Sequence, residues 1–154
     1  MSANQHEYRA SVRWSAAGGP GTTDYRSYLR NHVIEVDGKP AIPASADPAY
    51  RGDAMRYNPE DLLVASISAC HMLWYLHLCS ANGIVVTDYV DQALGTLELD
   101  GGESGRFVMV VLHPEVTIRA GDPAAAIDLH ARAHELCFIA RSVNFPIEVE
   151  AKVK

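Results

Sequence analysis

From Leu62 to Thr87 the chain carries no Asp, Glu, Lys or Arg. A segment that long and that apolar either crosses a membrane or lies inside a protein. Ser66, Ser68, His71, His77, Ser80 and Asn82 interrupt its apolar character. Glu60 and Asp61 flank one end and Asp88 the other, with no Lys or Arg anchor beside it. Membrane spans favour positive flanks, so the segment reads as a buried helix. Asn58 suits the N-cap, Pro59 the first helical position, and the two acids the positive end of the helix dipole. Leu63, Ile67, Cys70, Trp74 and Leu78 form one stripe, with Leu62, Ala65, Ala69, Leu73 and Leu76 beside it. Gly83 is the natural stop.

Strand patterns surround this helix. Tyr8, Ala10, Val12 and Trp14 alternate with Arg9, Ser11 and Arg13, the pattern of a half-buried strand over 7–15. AAGGPG at 16–21 is a turn. Residues 22–29 and 32–36 read as two further strands, with Asp37-Gly38 as a hairpin signal. Residues 40–57, with Pro40, Pro43, Pro48 and Gly52, read as a long loop of the kind that is functional or mobile. Strands are expected at 84–99, with a possible bulge at Gly95, and at 106–119, separated by the turn DGGESG. Asp122-Pro123 opens a second helix, expected to reach about Val143, and residues 145–153 close the chain as a strand. The order β-β-β-α-β-β-α-β predicts one α+β domain over 1–154 around a long buried central helix.

Composition narrows the functions. A chain of 154 residues, 48% apolar, is long enough to bury a core. A net charge of -6 without a basic cluster argues against nucleic acid and anionic membranes as partners. Three cysteines exclude a full disulfide framework, and the N-terminus lacks an apolar secretory core. Together these predict a reducing cytoplasm.

Cys70 and Cys137 each lie on or beside an apolar helix face, where a cysteine is either a small core hydrophobe or a nucleophile. Cys79 lies nine residues beyond Cys70, on the opposite side of the helix, and reads as packing. His134 and Cys137, three apart, could ligate a metal together, but there is no CxxC or HExxH. Neither GxGxxG nor a Walker-type loop occurs, so no cofactor is expected.

The stretch Asn58-Pro59-Glu60-Asp61-Leu62-Leu63, continuing through small and apolar residues to Ala69-Cys70, resembles the first motif of the osmotically inducible / organic hydroperoxide resistance (OsmC/Ohr) family. Ala133-His134-Glu135-Leu136-Cys137 resembles its second cysteine segment, and the 67-residue separation of Cys70 and Cys137 suits the family. The resemblance implies an intertwined homodimer and a thiol-dependent peroxidase acting on organic hydroperoxides. Cys70 would be the attacking thiol and Cys137 the resolving one, with an external dithiol as reductant. It also implies a site arginine and the helix-start glutamate, Glu60. Arg51, in the loop before the helix, is the preferred match, and Arg26 in the first hairpin region is the other.

The chemistry is coherent with those roles. A thiol attacks an O–O bond as thiolate. Cys70 is about three turns into its helix, where the dipole has faded, so a cation must be brought to it. A guanidinium stays charged when buried, and Glu60 would hold it. Trp74, one turn after Cys70, predicts an apolar wall beside the thiol. It suits a hydrophobic peroxide, or equally a non-catalytic ligand-binding or redox-sensing protein on the same fold.

Overall fold

The computed structural model describes residues 4–154. They form two compact units, one ending at Leu62 and one running from Leu63 to Lys154.

The first unit holds one antiparallel sheet in the order β1-β2-β3: β1 (Ser11–Arg13), β2 (His32–Glu35) and β3 (Ile42–Ala44). The alternating stretch around Val12 yields a strand of only three residues, and its Tyr8 is 90% exposed. An edge strand has one neighbour, and on its apolar side Trp14 packs edge-to-face on Tyr28 while Tyr8 and Val12 stay exposed. The strand expected over 22–29 is a series of bends and turns instead. Its backbone is drawn inward by Arg30, whose Nη1 donates to Tyr28 O (2.6 Å) and Nη2 to Tyr25 O (2.7 Å).

The 40–57 stretch contains β3 and a 3-10 turn at Pro48–Tyr50, and it is pinned. The buried Ser45 Oγ donates to Asn31 Oδ1 (2.9 Å) and accepts from the Asp53 N–H (3.1 Å). A Cβ on Gly52 would sit 1.6 Å from Ala46 O, so only glycine fits where the loop folds on itself.

The long helix α1 spans Pro59–Ala81, about 35 Å. Its start is a reciprocal cap. The Asp61 N–H donates to Asn58 Oδ1 (2.8 Å) and the Asn58 N–H to Asp61 Oδ2 (3.2 Å). Replacing Asn58 by alanine is expected to cost about 1–2 kcal/mol, read as a lowered denaturation midpoint.

By length and hydropathy α1 could cross a membrane. One row is fully buried: Ile67, His71, Tyr75 and Cys79. This corrects the expected stripe, and the helix is not buried over most of its circumference within one chain, since Leu73 is 63% exposed. Polar side chains can occupy the buried row because α2 (Pro123–Leu136) supplies their partners. The Tyr75 hydroxyl donates to Ala126 O (3.0 Å), and His71 pairs with His130.

Each long strand expected in the second unit is two strands in different sheets. β4 (Val85–Asp91), β7 (Pro114–Ala120) and β9 (Lys152–Val153) form one sheet in the order β4-β7-β9. β5 (Leu94–Leu99), β6 (Gly105–Leu112) and β8 (Ile147–Val149) form the other, in the order β5-β6-β8. The chain turns the corner at Gln92-Ala93, at His113 and at Glu150-Ala151. Asp91 braces two corners, its Oδ1 accepting from the His113 N–H (2.7 Å). Gly95 marks close packing: a Cβ there would meet Val64 Cγ2 at 2.6 Å and Phe107 Cε1 at 2.7 Å. The register shift falls just after it, between Thr96 and Leu97.

Helix α2 is capped by Asp122, which accepts from the Ala124 and Ala125 N–H groups, and it ends earlier than expected. Cys137 is its C-cap, with ψ 114°, followed by a 3-10 turn at Ala140–Ser142.

Candidate active site

Two of the expected site residues come together in the second unit. Cys70 is half-buried on α1 and Cys137 is buried at the end of α2. Both are free thiols, close enough that Cys70 raises the Cys137 thiol. The turn after α2 holds Cys137 in place. Its N–H donates to His134 O (3.3 Å), and its Sγ accepts from the Ala140 N–H (3.4 Å). Burial pushes the Cys137 thiol up to about 11, and the neighbouring Cys70 adds to the rise. Cys137 therefore stays protonated at neutral pH. Trp74 lies one turn along from Cys70 and packs edge-to-face on the exposed Phe138, ring centroids 5.5 Å apart. Cys79 is buried on the α1 row that faces the core, where burial raises its thiol.

Glu60 lies in the first unit, lining a cavity of about 410 Å³ with Trp14, Tyr28, Arg30, His32 and Tyr50 among its walls. The cation in that lining is Arg30. Its guanidinium sits 3.8 Å above the Tyr28 ring and 4.6 Å from that of Tyr25. Stacking and two carbonyl acceptors hold it without a carboxylate contact. Arg51 is exposed at φ 65°, the end of the 3-10 turn, and Arg26 is exposed too. Neither lines the cavity. The loop position before α1 points to Arg51 and not to Arg30, whose place beside Glu60 comes from folding. Two tyrosines within five residues before an arginine were the available signal.

A second polar feature also escaped the sequence. His71 Nε2 and His130 Nδ1 are 3.0 Å apart, in residues that are 1% and 4% exposed. Burial, and after it His134, lowers His71 to about 4, with Asp91 pulling weakly the other way. Burial, and after it His71, lowers His130 to about 4. Both rings are neutral at pH 7. Among the described residues, no three His, Cys, Asp or Glu side chains are placed to hold a metal ion.

A sequence profile described as OsmC-like protein matches residues 52–152. Among solved structures, the chain is similar to an OsmC-like protein of unknown function from Vibrio cholerae. That match has 32% identity and a TM-score of 0.88, over 96% of this chain and 100% of that one. An organic hydroperoxide resistance protein OsmC from Legionella pneumophila matches at 20% identity and TM-score 0.64, over 97% of this chain and 99% of that one. An organic hydroperoxide resistance protein from Elizabethkingia anophelis, with thiocyanate bound, matches at 19% and 0.66, over 99% of each chain. The last two likenesses show the fold alone. A comparison with curated proteins finds no match.

Proposed function

Because this chain belongs to the OsmC-like protein family, we propose that it is a thiol-dependent peroxidase that reduces organic hydroperoxides. The observation that carries the reading is that the free thiols of Cys70 and Cys137 are neighbours where the end of α2 meets α1.

In the proposed reaction the Cys70 thiolate attacks the outer oxygen of R–O–OH. An S–O bond forms, the O–O bond breaks, and the departing alkoxide takes up the proton that the Cys70 thiol released on ionising and leaves as the alcohol. Sulfur has lost two electrons and is a sulfenic acid. The Cys137 sulfur then attacks the Cys70 sulfur. The S–S bond forms, the S–O bond breaks, and hydroxide takes up the Cys137 proton as water. An external dithiol reduces the disulfide by exchange. The high Cys137 thiol suits this order, since a protonated partner leaves the first attack to Cys70. The test is turnover of tert-butyl hydroperoxide with dithiothreitol. No turnover, with both thiols still free, contradicts the reading.

We assign the activating charge to an arginine held with Glu60. Arg51 keeps its place as a candidate from the loop before α1, and Arg30 joins it because it shares a cavity with Glu60. Alkylation of Cys70 by iodoacetamide as a function of pH separates them. The variant that removes the activating residue, Arg30→Met or Arg51→Met, is expected to slow alkylation at neutral pH by roughly tenfold or more. The other is expected to leave the curve superimposable on wild type. Glu60→Gln is expected to act in the same direction, more mildly.

The working form is proposed to be a cytoplasmic homodimer. Leu73 on α1 and Leu94, Leu97 and Leu99 on β5 are exposed apolar side chains that a second copy would cover. Light scattering is expected to give twice the 16.8 kDa chain mass, and a monomer at micromolar concentration contradicts it.

A further inference from the structure

Among the described residues, few polar side-chain bridges link α1 to α2. They are the Cys70–Cys137 pair, the His71–His130 hydrogen bond at 3.0 Å, and the Tyr75 hydroxyl on Ala126 O at 3.0 Å. Each lies further along α1 and further back along α2, so the helices run antiparallel at this seam. The His71–His130 bridge is next to the reacting thiol, one residue on from Cys70.

The two rings are nearly parallel, 7° between planes, and Tyr75 stacks on His130 with centroids 3.8 Å apart. His134 from α2 and Asp91 from β4 are within electrostatic reach of His71, and Tyr89 from β4 lies against Tyr75. With both rings neutral, one proton lies between them: one nitrogen donates and the other accepts.

This arrangement is costly for a core. His71 Nδ1 and His130 Nε2 are buried without a partner. Each such group has given up its hydrogen bond to water without gaining another, and a leucine or phenylalanine pair would fill the space without that loss. Stability alone does not account for two imidazoles here. Directionality does: apolar side chains slide past one another, whereas a hydrogen bond fixes both distance and angle.

We propose that the His71–His130 hydrogen bond is a register pin that sets α2 along α1 so that the Cys137 sulfur reaches the oxidised Cys70 sulfur. Both histidines are then positioning residues for disulfide formation. The inference rests on the peroxidase reading above. A disulfide tolerates little error, with an S–S length of about 2.05 Å and Cβ atoms about 3.5–4.5 Å apart. A slip of about 1 Å between the helices would slow closure while leaving the first attack at Cys70 untouched.

The experiment follows the two steps separately after one equivalent of tert-butyl hydroperoxide. Dimedone trapping reads the Cys70 sulfenic acid, and mass spectrometry reads the Cys70–Cys137 disulfide. His130→Leu is expected to form sulfenic acid at the wild-type rate and disulfide roughly tenfold or more slowly. His130→Asn places an amide where Nδ1 was and is expected to restore closure to nearly the wild-type rate. Should His130→Leu fail to fold, His130→Gln replaces it, since its amide reaches the Nε2 position and not Nδ1. Slow closure rescued by asparagine supports the pin. Wild-type closure in the leucine or glutamine variant overturns it, as does equal slowing of both steps without rescue. Absence of both sulfenic acid and the Cys70–Cys137 disulfide in wild type overturns the peroxidase reading and the pin with it.

Discussion

Replacing Cys70 by serine is expected to abolish hydroperoxide turnover, by about a thousandfold or more, without unfolding the protein. The change is nearly isosteric at a half-buried position, so the packing of α1 barely alters. The hydroxyl that replaces the thiol is a far weaker nucleophile. Cys137→Ser is expected to differ in kind. Its first turnover should proceed at the wild-type rate, and Cys70 should then accumulate as sulfenic and sulfinic acid, because no second thiol closes the disulfide. Stopped-flow peroxide consumption on both variants checks the pair. Activity retained by Cys70→Ser would move the attacking role to Cys137 or Cys79.

The second large effect is on stability in acid. His71 and His130 have folded values of about 4, against 6.5 in an exposed imidazole. The unfolded chain therefore binds protons that the folded chain refuses. The stabilisation of the neutral pair is complete above pH 6.5 and is lost as pH falls from 6.5 toward 4. For one such group the stabilisation lost between neutral pH and pH 4 is about 3 kcal/mol. The two rings share a hydrogen bond, and charging one discourages charging the other, so their joint effect is less than double. Even 3 kcal/mol is a large part of the 5–15 kcal/mol typical of a domain. Urea midpoints between pH 6.5 and 4.5 are expected to fall steeply for wild type. They should be nearly flat for the double variant His71→Gln, His130→Asn, which keeps the hydrogen bond without the titration. Parallel curves would show that these histidines are not the groups being charged.

Much of the fold was legible where the signals are local. Asn58-Pro59 and Gly83 mark both ends of α1 because caps depend on neighbours in the chain, and the structure places Asn58 in a reciprocal cap. The acid-free, base-free run after them marks a helix by composition. The sheets were illegible in detail for the opposite reason. Each long strand pattern continues through the corners at Gln92-Ala93, His113 and Glu150-Ala151, and one of those corners is set by Asp91 bonding His113, a contact between distant positions. The early end of α2 was hidden because apolar residues continue past Cys137, although the chain there already turns out of the helix.

At the candidate site, the two cysteines stand out in the sequence because motif and spacing carry them. The buried histidine pair does not, since His130 lies 59 residues from His71 and neither has a local partner. Arg30 is hidden likewise, because what distinguishes it from Arg26 and Arg51 is the stacking on Tyr25 and Tyr28 that folding creates.

The central claim is that Cys70 and Cys137 form one redox centre, and a single measurement addresses it. Reduced protein is treated with one equivalent of tert-butyl hydroperoxide, the remaining thiols are blocked with iodoacetamide, and the cysteine peptides are read by mass spectrometry. The account predicts a Cys70–Cys137 disulfide, with Cys79 still alkylated after denaturation. All three cysteines alkylated, or oxidation confined to Cys79, would contradict it.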